Sequence, residues 1–235
     1  MRKIVAQEWI KIIKSDRAGG VSEGAFHSLN LALHTGDEPL RVNKNREIFA
    51  SYFGVSAKEL CFMEQIHSSS VVVARKGETP KADALITQEK NLILCVMVAD
   101  CVPVILYDND KKAVAAIHAG RKGIFTDIIT NACEAMRTEF GTKALNAYIG
   151  ASIRSCCYEI QGEVLSEAMK RFAYALKSID GRYFLSLQTI IKKQLYENGI
   201  VNIADGGICS CCDKNYFSYR RDGVCGRFAV GVKMI

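Results

Sequence analysis

The stretch Leu92-Ile-Leu-Cys-Val-Met-Val-Ala99, then Asp100-Cys101, then Val102-Pro-Val-Ile-Leu-Tyr107 decides how this chain folds. Two apolar, β-rich runs are separated only by one ionisable pair, which reads as two buried strands with a break between them. Asn109-Asp110 makes a turn, Ala113 to Ile117 forms another strand, and His118-Ala-Gly120 follows at once. Beyond Gly123, the apolar residues Phe125, Ile128, Ile129, Ala132, Cys133 and Met136 recur at helical spacing. The order is therefore strand, strand, tight glycine turn, helix.

Upstream, residues 3–13 read as an early strand region carrying Ile4, Val5, Trp9, Ile10, Ile12 and Ile13. A glycine-bearing loop covers Ala18 to Phe26, and Gly36-Asp37 marks another turn. Val42 to Phe53 is predicted as a helix with Val42, Ile48, Phe49 and Tyr52 on one face and Gly54 as its stop. Residues 70–74 are strand-like. Downstream, helices are predicted at 162–177 and 187–198, the second capped by Ser186 and closed by Gly199. Phe217 to Val232 returns to strand patterning. Strands and helices are interspersed without strict alternation or internal repeat, which predicts an α+β sandwich rather than a doubly wound parallel fold, with residues 1–235 as one domain.

Composition bounds the function. With 235 residues, 49% hydrophobic and 24% charged, the chain can build a substantial core. Met1 to Lys14 is too polar for a signal peptide, and the run Leu92 to Ala99 is far short of the roughly 20 residues that span a bilayer. A soluble cytoplasmic protein is expected, without a membrane partner. The net charge of +6 comes from scattered basic residues, so nucleic acid is not indicated. Ten cysteines without secretory context are expected to be reduced.

The chain has four histidines. His27 and His34 flank Leu29-Asn-Leu and read as surface or half-buried residues. His67 precedes the strand at 70–74, and His118 ends a buried strand at a glycine turn, where side chains project into ligand-binding crevices. Asp100-Cys101 has the same placement. One thiolate and two imidazoles are the donor set of open catalytic zinc sites. A buried, turn-capping Asp100 with Cys101 as a small core residue fits the spacing equally well. Cys156-Cys157, Cys209, Cys211, Cys212 and Cys225 could form a structural zinc cluster or a disulfide; their spacing does not match the two-residue gap of paired ligands, so unliganded reduced thiols are preferred. Arg46, Arg121-Lys122 and Arg220-Arg221 are candidates for an anion.

The ordered motifs add a resemblance. Gly19-Gly-Val-Ser22, Ser28-Leu-Asn-Leu31, His34-Thr-Gly-Asp37, Asn45-Arg46, Gln65-Ile-His67, Ala82-Asp-Ala84 and Ala99-Asp-Cys-Val-Pro103 are followed by His118-Ala-Gly120, Cys157-Tyr-Glu159, Phe217-Ser-Tyr-Arg-Arg221 and Gly226-Arg227. Together they resemble the YfiH-like family, also called laccase-domain, polyphenol oxidase, purine nucleoside phosphorylase or peptidoglycan editing proteins. The resemblance implies a four-layer α-β-β-α sandwich with mixed sheets and a zinc centre on His67, Cys101 and His118. It implies phosphorolysis of adenosine, inosine and methylthioadenosine with some adenosine deamination, while a copper-dependent oxidation of phenols is also attributed to the family. On that reading Arg46 helps to hold phosphate and Asp100 is an acid/base or supporting group. The partner is a small molecule, and the chain is a monomer or small homo-oligomer. Alternatives are a Cys101-based or metal-dependent amidase editing peptidoglycan precursors, a copper-dependent, laccase-like polyphenol oxidase with copper entering the same site, and a metal-stabilised binding protein. At position 121 arginine replaces the family's tryptophan, and at 151 alanine replaces its proline.

Overall fold

The computed structural model describes residues 2–235. The amino-terminal strands are β1 (Arg2–Gln7), β2 (Ile10–Lys14), β3 (Leu60–Cys61) and β4 (Val71–Val73), with helix α1 (Pro39–Ser51) between them. The central strands are β5 (Ala84–Thr87), β6 (Ile93–Val98), β7 (Val102–Asp108) and β8 (Ala113–Ala119), followed by α2 (Arg121–Phe125) and α3 (Ile128–Phe140). Then come β9 (Leu145–Ile149), β10 (Glu159–Ile160), α4 (Gly162–Arg171), β11 (Leu176–Ile179), β12 (Arg182–Leu185), α5 (Leu187–Glu197), β13 (Ile203–Asp205), α6 (Tyr219–Asp222) and β14 (Phe228–Met234).

Among the described residues, a five-stranded sheet runs β1-β2-β14-β6-β3 and a six-stranded sheet runs β13-β9-β7-β8-β5-β4. Both are mixed: β3 is parallel to β6, β4 to β5 and β13 to β9, and the other pairs are antiparallel. A three-stranded sheet, β10-β12-β11, stands beside them.

Alternation along β6 shows why its run is apolar throughout. Ile93, Cys95 and Met97 pack with Phe49 and Phe53 of the α1 segment, while Leu94, Val96 and Val98 face Leu85, Ile105, Val114 and Ala116 of the second sheet. The outer face of that sheet, including Val104, Leu106, Ala113, Ala115 and Ile117, meets Ile128, Ile129, Ala132, Cys133 and Met136 of α3. The layers are thus α1, sheet, sheet, and the α3–α5 side, the predicted α-β-β-α sandwich. Gly231 on β14 lets α1 close: a Cβ there would fall 2.8 Å from Phe53 Cζ.

Some boundaries differ from the sequence reading. The early strand region is a hairpin of β1 and β2, and the first helix begins at Pro39, a residue pre-organised for a helix start. The helix expected over 162–177 ends at Arg171, and Leu176–Ile179 joins a sheet. Only Phe228–Met234 of the expected carboxyl-terminal strand pairs; Tyr219–Asp222 is a helical turn capped by the Ser218 hydroxyl. Ser186 does cap α5, accepting from Thr189 N, and Gly199 follows its end in the left-handed region at φ 75°.

Candidate metal centre and cavity

β6 and β7 lie in different sheets, so Asp100-Cys101 is a corner at which the chain crosses from one layer to the other. Asp100 adopts φ 92°. Its Oδ1 accepts from Ser210 Oγ at 2.8 Å, its Oδ2 from Arg220 N at 2.6 Å, and its carbonyl from Ile153 N at 2.9 Å. With both carboxylate oxygens engaged, Asp100 braces the corner.

Register carries Cys101 to its neighbours. Val102 pairs with Ala119 and Pro103 with His118, so one step further Cys101 stands opposite Gly120. A Cβ on Gly120 would fall 2.9 Å from His67 Cδ2 and 3.2 Å from Cys101 Sγ. Only glycine leaves that space free. His67 arrives on the loop between β3 and β4 in the left-handed region, φ 58°. Gln65 moors the loop to β6 like a short strand partner: its Nε2 donates to Met97 O at 2.7 Å and its Oε1 accepts from Met97 N at 2.9 Å.

His67 Nε2 and Cys101 Sγ are 3.9 Å apart, and the two imidazoles lie edge to face with centroids 4.8 Å apart. One donor atom from each of His67, Cys101 and His118 lies within 4.8 Å of the others. A tetrahedral zinc ion, with bonds of about 2.0–2.3 Å, needs donors about 3.3–3.8 Å apart. Exposure rises from buried His118 through half-buried Cys101 to exposed His67, so the centre is open on one side. The residues fit a divalent ion with borderline-soft ligands and a free position for water or substrate.

Asp83 organises the centre. Its buried carboxylate receives His118 Nδ1 at 2.8 Å and His67 N at 3.0 Å on Oδ1, and Ser68 N at 2.6 Å and Ser68 Oγ at 2.8 Å on Oδ2. Its own carbonyl accepts from His118 N at 2.7 Å. Burial would raise the Asp83 carboxyl, but these donors outweigh it and hold it below the ordinary carboxylate range. With Nδ1 turned to Asp83, His118 presents Nε2 to the centre, the usual carboxylate–histidine support of a metal ligand. Among the protein groups alone, burial opposes charge on both Cys101 and His118, yet their mutual attraction dominates. The thiol is held down to about 6 and the imidazole, also bonded to Asp83, pushed up to about 9.

The three donors form the floor of a cavity of about 370 Å³. Gln65, Ile153 and Tyr158 line its sides, with Tyr219, Arg220, Arg227 and His34 also on its wall. Arg220 Nη1 donates to the carbonyls of Cys157 and Glu159, and its guanidinium lies over the Tyr158 ring at 5.1 Å. Arg46 is not among the lining residues. Its Nε donates to Leu31 O and its guanidinium covers Phe62 at 4.2 Å, although with Arg227 it adds to the burial that lowers the His34 imidazole. Arg121, in the family's tryptophan position, borders a shallower groove with His67, Ser68 and Lys122. His27 is exposed and outside the cavity lining.

Asp83, Gln65, Tyr158 and Arg227 are site residues that chemistry-based sequence reasoning did not assign. Asp83 had a signal: a carboxylate at the start of the apolar run Ala84-Leu-Ile86 must find partners if buried. All ten cysteines are free thiols, as expected, but the spacing argument against a cluster does not hold. Cys156, Cys157, Cys209 and Cys212 converge within 4.8 Å, and Cys209 and Cys212 do have two residues between them. Cys225 is buried in the core between the sheets.

The comparisons place this arrangement among known proteins. A family model described as multi-copper polyphenol oxidoreductase laccase matches residues 11–235. A purine nucleoside phosphorylase of Corynebacterium glutamicum is 35% identical over 94% of this chain and 92% of its own length. One of Streptomyces coelicolor is 36% identical over 92% and 91%. The crystal structure of the Bacillus licheniformis protein YfiH superposes with a TM-score of 0.91 at 29% identity, covering 96% of this chain and 93% of that one. A Neisseria meningitidis structure gives 0.88 at 34% identity, covering 97% and 96%. The chain belongs to the laccase-domain, YfiH-like family, whose curated relatives include purine nucleoside phosphorylases.

Proposed function

We propose that the chain is a zinc-dependent purine nucleoside phosphorylase acting on adenosine, inosine and S-methyl-5′-thioadenosine, with adenosine deamination as a side activity. The observation that carries this reading is the cavity itself. Its floor is a Cys-His-His donor set and its wall bears Arg220 and Arg227, so an uncharged nucleoside and an anion can meet in one enclosed space. The names of the relatives point to the same chemistry.

Phosphate held by Arg227 and Arg220 attacks C1′ of the nucleoside, the C1′–N9 bond breaks, and the purine leaves with a proton taken up at nitrogen. Burial pushes the Tyr158 hydroxyl up, so it stays protonated on the cavity wall, where it can donate that proton. Arg46, expected to hold phosphate, takes a supporting place behind His34. An ion on His67, Cys101 and His118 supplies Lewis-acid polarisation when bound. Following base release from adenosine and inosine with and without phosphate tests the reading. Release from folded, zinc-loaded protein that is indifferent to phosphate would sink it.

The Cys101–His118 pair favours a second reading, a thiol amidase in which Cys101 attacks a carbonyl and His118 shuttles the proton. Trapping an acyl group on Cys101 would support it, whereas a thiol that resists alkylation when metal-loaded would not. Multicopper oxidation needs a dense set of histidines, and among the described residues the metal-capable clusters contain two, His67 and His118. Copper entering this same site requires no further ligands.

A further inference from the structure

Five of the ten cysteines lie outside both the centre described above and the apolar core, and four of these gather in one place. Cys61, Cys95, Cys133 and Cys225 are buried and pack as small apolar side chains. Cys156 and Cys212 are exposed, and Cys157 and Cys209 half-buried, so core packing does not account for their meeting. They come from two loops distant in sequence, one after β9 and one after β13.

We propose that Cys156, Cys157, Cys209 and Cys212 form a second metal site, a closed tetrathiolate that takes zinc or a comparable soft divalent ion and ties the two loops together. Cys212 Sγ lies 3.6 Å from Cys156 Sγ and 3.3 Å from Cys157 Sγ, and all four sulfurs lie within 4.8 Å of one another. A zinc ion with four sulfurs at about 2.3 Å has sulfur–sulfur edges of about 3.8 Å. A disulfide needs about 2.05 Å, and Cys212 could satisfy only one of its two near neighbours. Four thiols around one point match a tetrahedral ion, and a full set of protein ligands makes the site structural rather than catalytic.

The backbone supports the same assignment. Cys209-Ser-Cys-Cys212 closes on itself, with Asp213 N donating to Cys209 O at 2.9 Å. The loops are already in register: Ser152 N donates to Ile208 O at 3.2 Å and Ser210 N to Ser152 O at 3.0 Å. Arg154 crosses between them to Asp205.

This site would stand directly behind the cavity wall. The Cys157 carbonyl accepts from Arg220 Nη1 at 3.0 Å, and Ser210 Oγ donates to Asp100. An ion on the four sulfurs therefore fixes the backbone that positions Arg220 and the Asp100 corner, whatever reaction the cavity performs.

The test is metal stoichiometry on the full chain, purified under reducing conditions and zinc-saturated. Wild type should hold two zinc ions per chain, and His67→Ala/His118→Ala should keep one. Cobalt in that double variant should give the strong near-ultraviolet and visible bands of a tetrahedral tetrathiolate. Cys156→Ser/Cys212→Ser should abolish those bands. Should the cysteine variant fail to fold, the cobalt spectrum of the histidine variant decides alone. A folded histidine variant that binds no metal would overturn the proposal, as would a Cys157–Cys212 disulfide found in the reduced preparation. Neither result depends on nucleoside turnover, so the phosphorylase reading stands or falls separately.

Discussion

Replacing Asp83 by asparagine keeps the shape of the side chain and removes its charge. The carboxylate accepts from four donors, His118 Nδ1 and His67 N on Oδ1 and Ser68 N and Oγ on Oδ2. An amide can accept at only one end. If its oxygen stays with the histidines, the NH₂ group faces the Ser68 N–H, donor against donor, although the Ser68 hydroxyl can rotate to accept. If it is turned round, the NH₂ group meets the His67 N–H and forces His118 to accept at Nδ1, which puts the ring hydrogen on Nε2 and spoils it as a ligand. The first orientation is therefore the better one. It strands one partly buried N–H, at about 1–3 kcal/mol, and removes charge assistance from the remaining bonds, at about 1 kcal/mol in all. We expect D83N to lose about 2–4 kcal/mol in denaturant unfolding of chelator-treated protein. Zinc affinity, measured by competition with a chromophoric chelator, should fall about 10–100-fold. The two readouts separate a structural from a metal-positioning role. Zinc affinity within threefold of wild type in a folded D83N would refute the claim that Asp83 sets the His118 tautomer.

Gly120→Ala puts a methyl group against His67 and Cys101, so bound zinc, read by elemental analysis, should drop by at least half in a protein destabilised by about 1–3 kcal/mol. Arg227→Ala should raise the KM for phosphate about tenfold in the nucleoside assay and leave zinc content unchanged; a change in the KM for nucleoside alone would contradict its assignment to the anion. Asp108 supplies the pH dependence. Burial would raise its carboxyl, but the amides of Lys111, Ala144, Lys143 and Asp110 outweigh burial and hold it low. A depressed folded value means the stabilisation is fully present above the unfolded value of about 4 and is lost as pH falls through the folded one. Denaturation midpoints measured between pH 2 and 6 should therefore fall with acid in wild type and fall less steeply in Asp108→Asn.

What the sequence disclosed and what it concealed follow from the range of each interaction. Helical periodicity from Ile128 to Met136 and the cap of α5 are local, and both match the sequence reading, whereas Phe125 ends the separate short helix α2, broken from α3 at the left-handed Asp127. The two apolar runs Leu92 to Ala99 and Val102 to Tyr107, broken only by Asp100-Cys101, revealed two strands but not that they enter different sheets, because a strand covered on both faces reads the same in either layer. That crossing at Asp100-Cys101 creates the centre, and nothing within the dipeptide distinguishes it from a turn inside one sheet. The downstream misreadings have a similar origin. Leu176–Ile179 carries on an apolar pattern that began as a helix, and only pairing with β12 makes it a strand. Cys101 and the two histidines could be nominated from donor chemistry, since few other residue types bind borderline metals. Asp83 could not be placed that way, because a carboxylate next to alanines has many uses and its partners are 15 or more residues distant. Arg46 failed in the opposite sense: a basic residue on a helix was assigned an anion, but whether a guanidinium faces a cavity or lies on a neighbouring ring such as Phe62 is decided by tertiary packing. Residue type thus indicated which atoms could do chemistry, and the crossing of two sheets determined which of them were brought together.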